Sequence, residues 1–284
     1  MHIYFVTAFI WIEEKEKIML KFAFPGPGTD VSYHNHSDMS DGAAPLELIC
    51  RTAKAAGLRE FGISDHWVIP PVGSPIDASS WRMIPSRLDE YVEKVLKLKK
   101  ELDSDTFTLR LGLEVDFFFE NYEEVLANLA PYPFEYTIGS VHYSGTFPID
   151  HDAADWVGLT PEQLSEVCEG YWKKLEGAAA CGRYTFIGHP DLPKKFGFID
   201  NSQYLSHAVK VLDAVAKNNG AIELNTAGWF KECKEQYPSI AILQEACKRN
   251  IPVVINADAH HQDHIRRNFP ESAKVLEEAG YPAR

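Results

Sequence analysis

The feature that most constrains the fold is a regular alternation of short apolar segments with longer amphipathic ones, which begins at residue 31. The seven short segments, predicted as strands, read VSYHNH, REFGISDH, TLRLGLEVDFF, YTIGSVH, YTFIGHP, AIELNTAG and PVVINADAH. The predicted helices cover residues 45–57, 86–103, 121–130, 161–181, 202–219 and 237–250, and a seventh follows at the C-terminus. Repeated units of this kind, joined by right-handed crossovers, form a parallel sheet that is either open or closed into a barrel.

Local signals agree with this alternation. The segment TPEQL places Thr160 as a helix N-cap, Pro161 in the first turn and Gln163 at the position that completes a capping box. Residues 67–85 are rich in Pro, Ser and Gly and form the longest irregular stretch, so we predict a lid or a substrate-binding loop there.

The chain of 284 residues shows no linker or low-complexity segment, which predicts a single domain over residues 30–284. Residues 1–29 form an N-terminal extension of uncertain structure. Its apolar stretch is too short to span a bilayer and is not preceded by basic residues, so neither a membrane anchor nor a signal peptide is expected. Met19 is an alternative translation start, and an extra strand or helix packed outside the sheet is the other interpretation.

Charge and cysteine content exclude several classes of function. Acidic residues number 41 against 28 basic ones, and a net charge of −13 disfavours nucleic acids and anionic membranes as partners. The five cysteines are far apart in the sequence and form no CxxC pair, which is typical of reduced thiols in a cytoplasmic enzyme. Nothing in the sequence indicates the oligomeric state.

Histidine and acidic side chains recur where the predicted strands end. In a β/α barrel this C-terminal edge of the strands carries the active site. Six histidines and three carboxylates lie at these positions in six of the seven units: His34, His36, Asp41, His66, Glu114, His142, His189, Asp258 and His260. A lone histidine after a strand is more often a hydrogen-bonded or surface residue than a ligand. The convergence of nine such residues is what indicates a metal site.

The chemistry of the set favours divalent cations. Without them, closely packed imidazoles and carboxylates would lose solvation with no compensating interaction. Mixed nitrogen and oxygen ligands suit Zn²⁺, Fe²⁺ or Mn²⁺, whereas Mg²⁺ and Ca²⁺ prefer oxygen alone. Nine ligands are too many for one ion and suit three, because a catalytic ion commonly takes three or four protein ligands. We therefore predict three divalent metal ions.

The ordered motifs resemble a known superfamily. HNHSDMSDG, PLELICRTAKAAGLREFGISDH, GLEVD, GSVH, GHPDL and NADAH, spread over about residues 30–262, are similar to those of the polymerase-and-histidinol-phosphatase (PHP) superfamily. This resemblance implies an α/β fold, a distorted seven-stranded (β/α)7 TIM-like barrel, with a trinuclear metal site at the C-terminal ends of the strands. IELNTAGWFKECKEQYPS and GHPDLPKKF resemble the histidinol-phosphate phosphatases within it.

The resemblance also implies a distribution of ligands. One ion would be held by His34, His36, Glu114 and Asp258. Glu114 would bridge to a second ion on His142 and His189, and a third ion would be held by Asp41, His66 and His260. The chain departs from the pattern at SDMSDG, where histidinol phosphatases of this type usually carry a Cys and a His.

The implied function is a metal-dependent phosphomonoesterase that acts on a small phosphorylated substrate, with L-histidinol phosphate as the first candidate. Sugar phosphates or nucleotides are the alternative substrates, and a non-catalytic metal-binding module is the alternative class. The predicted catalytic residues are His260 and Asp191; Asp191 is the candidate proton donor to the leaving group, or else a loop cap or orienting partner. The predicted substrate contacts are Arg82, Lys194, Lys195, Asn225 and Lys231.

Overall fold

A parallel sheet forms the centre of the structure, a computed structural model that describes residues 28–282. Its strands, with one small hairpin, are β1 Val31–Ser32, β2 Glu60–Ile63, β3 His66–Trp67, β4 Thr108–Asp116, β5 Tyr136–Ser140, β6 Tyr143–Ser144, β7 Phe147–Pro148, β8 Phe186–Ile187, β9 Ala221–Asn225 and β10 Val253–Asn256. The sheet order is β1-β2-β4-β5-β8-β9-β10, and β3 also pairs with β4. β6 and β7 pair separately and antiparallel.

Two details turn this sheet into a distorted barrel. β2 and β3 occupy one strand position, because both continue the same register along β4, Glu60 opposite Thr108 and His66 opposite Glu114. The remaining edges approach each other through the parallel bridge between Asn35 and Ala259. Seven strand positions therefore nearly close on themselves, and the predicted distorted seven-stranded barrel is confirmed.

Seven α-helices of the described part of the chain lie along the sheet: α1 Leu46–Ala55, α2 Leu88–Leu102, α3 Tyr122–Leu129, α4 Pro161–Ala180, α5 Leu205–Lys217, α6 Ile240–Lys248 and α7 Phe269–Glu278. The predicted cap of α4 forms, because Gln163 N donates to Thr160 Oγ1 at 3.3 Å and Thr160 N donates to Gln163 Oε1 at 2.9 Å. The ends of α5 and α6 differ from prediction. α5 follows a 3₁₀ turn at Asn201–Tyr204, and α6 begins three residues later than predicted, after Ser239.

The predicted N-terminal extension and the expected absence of a membrane anchor can be compared with the structure only in part. Residues 1–27, most of the predicted N-terminal extension, lie outside the described residues, so the boundary near residue 30 stays a prediction. Within residues 28–282, none of the helices is long and apolar enough to cross a membrane.

Large side chains fill the barrel near the N-terminal ends of the strands. Tyr136 lies completely buried there, stacked against Phe186 and edge-on to Tyr33. Its hydroxyl group donates to the carbonyl oxygen of Tyr33 at 2.6 Å and lies 3.2 Å from that of Ile63. Gly62 and Gly112 leave the space for this ring, since a Cβ atom at either position would lie within 2.2 Å of a Tyr136 atom. The apolar layer leaves the opposite end of the barrel to polar groups.

We expect Gly112→Ala to destabilise the fold by about 1–3 kcal/mol or more, because an added methyl group would overlap the ring of Tyr136 inside a closed barrel. Urea denaturation of the purified variant measures this change in the free energy of unfolding. Gly220→Ala is the matched control, since its Cβ atom would lie no closer than 3.4 Å to any neighbour. Equal stability of the two variants would contradict the packing described here.

Candidate metal centre

The nine predicted ligands surround one opening at the C-terminal end of the barrel. His34, His36 and Glu114 are almost completely buried, with exposed fractions of 0%, 0% and 1%. The other six line a cavity of about 390 Å³ above them: Asp41, His66, His142, His189, Asp258 and His260. The barrel therefore brings together residues that are more than 200 positions apart in the sequence.

Glu114 lies at the centre of the group, and its two oxygen atoms face different imidazoles. Oε1 lies 2.8 Å from His189 Nε2 and 3.6 Å from His142 Nε2. Oε2 lies 2.6 Å from His66 Nδ1, 3.3 Å from His34 Nε2 and 3.6 Å from His36 Nε2. This arrangement is the one that a carboxylate bridging two ions requires.

The two other carboxylates, Asp258 and Asp41, each lie close to at least two histidines of the group. Asp258 Oδ1 lies 3.1 Å from His36 Nε2 and 3.6 Å from His34 Nε2. Asp41 lies further out, with Oδ1 3.6 Å from His66 Nε2 and Oδ2 3.3 Å from His260 Nε2. Potential ligand atoms lie within 4.8 Å of one another in four overlapping groups: His36–Asp41–His66–His260, His34–Glu114–His189, His34–His36–Asp258 and His66–Glu114–His142.

Buried polar atoms without hydrogen bonds test whether cations fit these residues. His34 Nε2, His36 Nε2, His66 Nδ1 and Glu114 Oε2 are all buried and make no hydrogen bond, although they lie close to one another. Buried nitrogen and oxygen atoms in folded proteins rarely stay without a partner. A divalent cation between them would supply that partner, so the donor set fits mixed nitrogen and oxygen ligation.

The pKa values show how strongly the carboxylates favour positive charge here. Burial opposes protonation of His142, yet Asp116 and Glu114 raise its pKa to about 10. Burial also opposes protonation of His260, and Asp41 raises its pKa to about 9. A divalent ion can supply this positive charge in place of the protons.

His36 behaves differently from the imidazoles around it. It stacks between His66 and His260, with ring centroids 4.2 and 4.3 Å away. Burial, together with the charges of these two neighbours, lowers the pKa of His36 to about 3. His36 is therefore neutral at physiological pH, which is the form that binds a metal ion.

Carboxylates that the sequence analysis did not single out orient these imidazoles. Asp116 Oδ1 lies 2.5 Å from His142 Nδ1, and both oxygens of Glu223 lie 3.0–3.1 Å from His34 Nδ1. A metal-binding histidine commonly donates its other N–H group to such a carboxylate, which fixes the tautomer. The signal in the sequence was an acidic residue inside an apolar strand segment, as in AIELN.

Glu223 accepts hydrogen bonds from four groups, and their orientation is fixed. Besides His34, the donors are His189 N at 2.5 Å, Asn225 Nδ2 at 3.0 Å and Asn256 Nδ2 at 2.8 Å. Each amide is held in this orientation, because Asn256 Oδ1 accepts from Tyr33 N and Asn225 Oδ1 accepts from Ala227 N. The proton of a neutral carboxyl group would find only donors around these oxygens, so the contacts favour the ionised form. Burial opposes ionisation, but His34 lowers the pKa of Glu223 below its usual value.

The five predicted substrate contacts separate into two groups. Lys195 and Lys231 line the cavity. Asn225 instead donates to Asp258 Oδ2 at 3.1 Å, and Arg82 donates to the carbonyl oxygen of Val68 at 2.5 Å. Lys194 is buried and donates to Glu235 Oε2 and to the carbonyl oxygen of Gln236, both at 2.7 Å. Arg82, Lys194 and Asn225 therefore each have at least one polar atom bound to another residue of the protein, and their roles at the substrate stay predictions.

Asp191, the predicted proton donor, is completely buried. Its Oδ2 accepts from Ser239 N at 2.8 Å and lies 3.0 Å from Lys194 Nζ. It is not among the residues that line the cavity. These contacts are those of a residue that holds the loop after β8 in place, and its catalytic role stays a prediction.

Further residues of the cavity wall come from loops that the strand pattern did not specify. The segment 67–85 places Trp81 edge-on to His66, with ring centroids 4.7 Å apart, so the predicted lid segment does reach the candidate site. The hairpin β6–β7 was not predicted, and it contributes Tyr143 to the wall. The other additional residues of the wall include Asp150, His151, His264 and Arg267.

We expect Glu223→Gln to weaken metal binding by a factor on the order of 10–100, because an amide NH₂ group would face a fixed donor and His34 would lose its orienting charge. Mass spectrometry of metal content after dialysis against limiting Zn²⁺ measures the loss. Glu93→Gln, on the exposed side of α2, is the control. Wild-type metal content in Glu223→Gln would contradict the role assigned to this carboxylate.

Comparison with known proteins agrees with this geometry. Residues 32–227 match the family model of the PHP domain. A probable histidinol-phosphatase from Deinococcus radiodurans is 35% identical over 231 residues, which is 81% of this chain and 85% of that protein. A histidinol-phosphatase from Bacillus subtilis is 28% identical over 233 residues, which is 76% of this chain and 87% of that protein.

A solved structure is similar in fold. The histidinol phosphate phosphatase from Lactococcus lactis, crystallised with zinc, L-histidinol and phosphate, superposes with a TM-score of 0.73 at 20% identity. The match covers 89% of this chain and 95% of that one. With the family model matched over more than half of its length, and a relative 35% identical over most of it, this chain belongs to the PHP domain family.

Proposed function

We propose that the protein is a metal-dependent phosphomonoesterase that hydrolyses L-histidinol phosphate to L-histidinol and phosphate. The observation that carries the proposal is the convergence of nine nitrogen and oxygen ligands around one cavity, in a chain of this family. The 35% identity to a probable histidinol-phosphatase favours histidinol phosphate over other phosphomonoesters. A cavity of about 390 Å³ is within the range that suits a small molecule.

The proposal includes three divalent ions. His34, His36 and Asp258 would hold the first together with Glu114, whose other oxygen faces His142 and His189 for the second. Asp41, His66 and His260 would hold the third. Zinc is the first candidate because the Lactococcus protein was crystallised with it, and iron and manganese suit the same donor set.

Charge supports both the ions and the substrate. Three divalent ions carry six positive charges, against three carboxylates among the ligands and two more, Asp116 and Glu223, behind them. One positive charge remains, so the site would attract a phosphate dianion although the whole chain has a net charge of −13. When bound, divalent ions neutralise phosphoryl oxygens and lower the pKa of water to about 7.

The chain's own residues shape the space around the reacting group. The ring of Trp81 covers His66 and His142, and Tyr143 stacks beside it at 6.2 Å, so these aromatic rings limit the access of water from that side. Lys195 is held at the cavity by the carbonyl oxygen of Asp150 at 2.6 Å. Lys195 and Lys231 are the cations that the proposal assigns to substrate binding.

Hydrolysis of another small phosphomonoester, such as a sugar phosphate or a nucleotide, is the second candidate. The observation that favours it concerns the motif SDMSDG, where histidinol phosphatases of this type usually have another motif. Asp41, which belongs to this motif, lies 3.3 Å from His260.

The five cysteines are all free thiols, which supports a cytoplasmic location as part of the proposal.

We expect the purified protein, loaded separately with Zn²⁺, Mn²⁺ or Fe²⁺, to release phosphate from L-histidinol phosphate faster than from sugar phosphates, nucleotides or an aryl phosphate. His34→Ala and Glu114→Ala should abolish release with every metal, since each removes a candidate ligand that lies close to at least two others. A colorimetric phosphate assay measures kcat/KM for each substrate.

Outcomes of this assay separate the two candidates. Equal rates with histidinol phosphate and the rest of the panel would overturn the substrate and leave the metal-dependent phosphatase in place. No release from any substrate with any metal would overturn the enzymatic function itself. Lys97→Ala, at a site on the outer surface of α2, serves as the control for changes unrelated to the cavity.

A further inference from the structure

Two cations on one wall of the cavity form no ion pair with any residue that the structure describes. Lys231 follows the 3₁₀ turn Thr226–Phe230 after β9, and Arg267 lies between β10 and α7. Both residues line the cavity that contains the candidate metal ligands. Arg267 was not predicted from the sequence.

The surroundings of Arg267 hold it without neutralising it. Its guanidinium group lies over the ring of Phe230, 4.5 Å from the centroid, and Phe230 directly precedes Lys231 in the chain. Its Nε atom is buried and makes no hydrogen bond. Among residues 28–282, neither Arg267 nor Lys231 has a carboxylate within ion-pair distance. Arg267 as a whole is partly exposed, but a buried donor such as this Nε is usually hydrogen-bonded, so it lacks an expected partner.

A third cation makes this wall still more positive. Lys195 also lines the cavity, but the carbonyl and carboxylate oxygens of Asp150 accept from its ammonium group at 2.6 and 3.4 Å. Burial lowers the pKa of Lys231, and the charges of Lys195 and Arg267 lower it further, against the opposing charges of Asp258 and Asp150. Such mutual repulsion is unfavourable unless an anion binds between the charges.

We infer that Arg267 and Lys231 form an anion subsite that binds the phosphate group of the substrate and of the released product. The inference rests on the proposed phosphatase function and names the residues that would set its affinity for phosphate. A planar guanidinium group offers paired donors to phosphate oxygens, and a lysine adds a point charge. A dianion here would be attracted from one side by these cations and from the other by the ions that the nine candidate ligands would hold.

The test uses the metal-loaded enzyme and inorganic phosphate. Isothermal titration gives the Kd of phosphate, and inhibition of 4-nitrophenyl phosphate hydrolysis gives its Ki. We expect Arg267→Met and Lys231→Met each to raise both constants on the order of 10- to 100-fold, the effect of one lost hydrogen bond to a charged group. Metal content, measured by mass spectrometry, should stay at the wild-type level in both. Arg267→Lys, which keeps the charge, should recover part of the affinity.

Arg266→Met is the matched control. Arg266 is adjacent to Arg267 in the sequence but does not line the cavity. Its guanidinium group donates instead to the carbonyl oxygens of Ala56 and Thr29 at 2.7 and 3.1 Å. The phosphate affinity of Arg266→Met should equal that of the wild type. If one methionine variant fails to fold, the other and Arg267→Lys decide the question.

Two results would overturn the inference. The first is an unchanged phosphate Kd in the folded cavity variants, and the second is an equal loss of affinity in Arg266→Met. Neither result depends on histidinol phosphate. Failure of that substrate in the phosphate-release panel therefore stays distinguishable from failure of the anion subsite.

Discussion

The candidate site depends on one buried carboxylate surrounded by imidazoles. Five histidines have a ring nitrogen within 3.6 Å of a Glu114 oxygen: His34, His36, His66, His142 and His189. Burial alone would raise the pKa of Glu114, but the charges of His34, His66 and His142 and a hydrogen bond from His189 hold that pKa well below its usual value. In solution such a group would disperse, so the barrel must hold it together. The stability of the site and the position of any bound ion follow from this carboxylate.

Several features of the fold hold Glu114 and the surrounding imidazoles in place. β3 continues the register of β2 after an interruption and places His66 directly opposite Glu114. Near the opposite edge of the sheet, Asn256 accepts from Tyr33 N and donates to Glu223. Tyr33 follows β1 and Asn256 ends β10, so this contact joins the two edges of the sheet and also orients the carboxylate behind His34. Closure of the sheet and assembly of the ligand set are thus parts of the same hydrogen-bond network.

Much of this arrangement could be predicted from the sequence, because strand ends in a parallel barrel meet at one edge. That rule places His34 and Asp258 together across more than 200 residues without any knowledge of loops. It does not tell Lys194 from Lys195, since the 3₁₀ turn Leu192–Lys194 buries the first and leaves the second at the cavity. Nor does the rule separate Trp81 from Arg82 in the irregular segment 67–85. Trp81 contacts His66 at the site, whereas Arg82 donates to the carbonyl oxygen of Val68. Arg267 was missed because its position depends on stacking with Phe230, a contact that leaves no pattern in the sequence.

The proposal on which the function depends is that the nine side chains hold three ions, two of which share Glu114. Anomalous diffraction from crystals grown with zinc, measured on both sides of the zinc absorption edge, tests this claim most directly. We expect three peaks enclosed by the nine ligands, with Glu114 in contact with two of them. A single peak, or peaks that leave Glu114 without an ion, would contradict it.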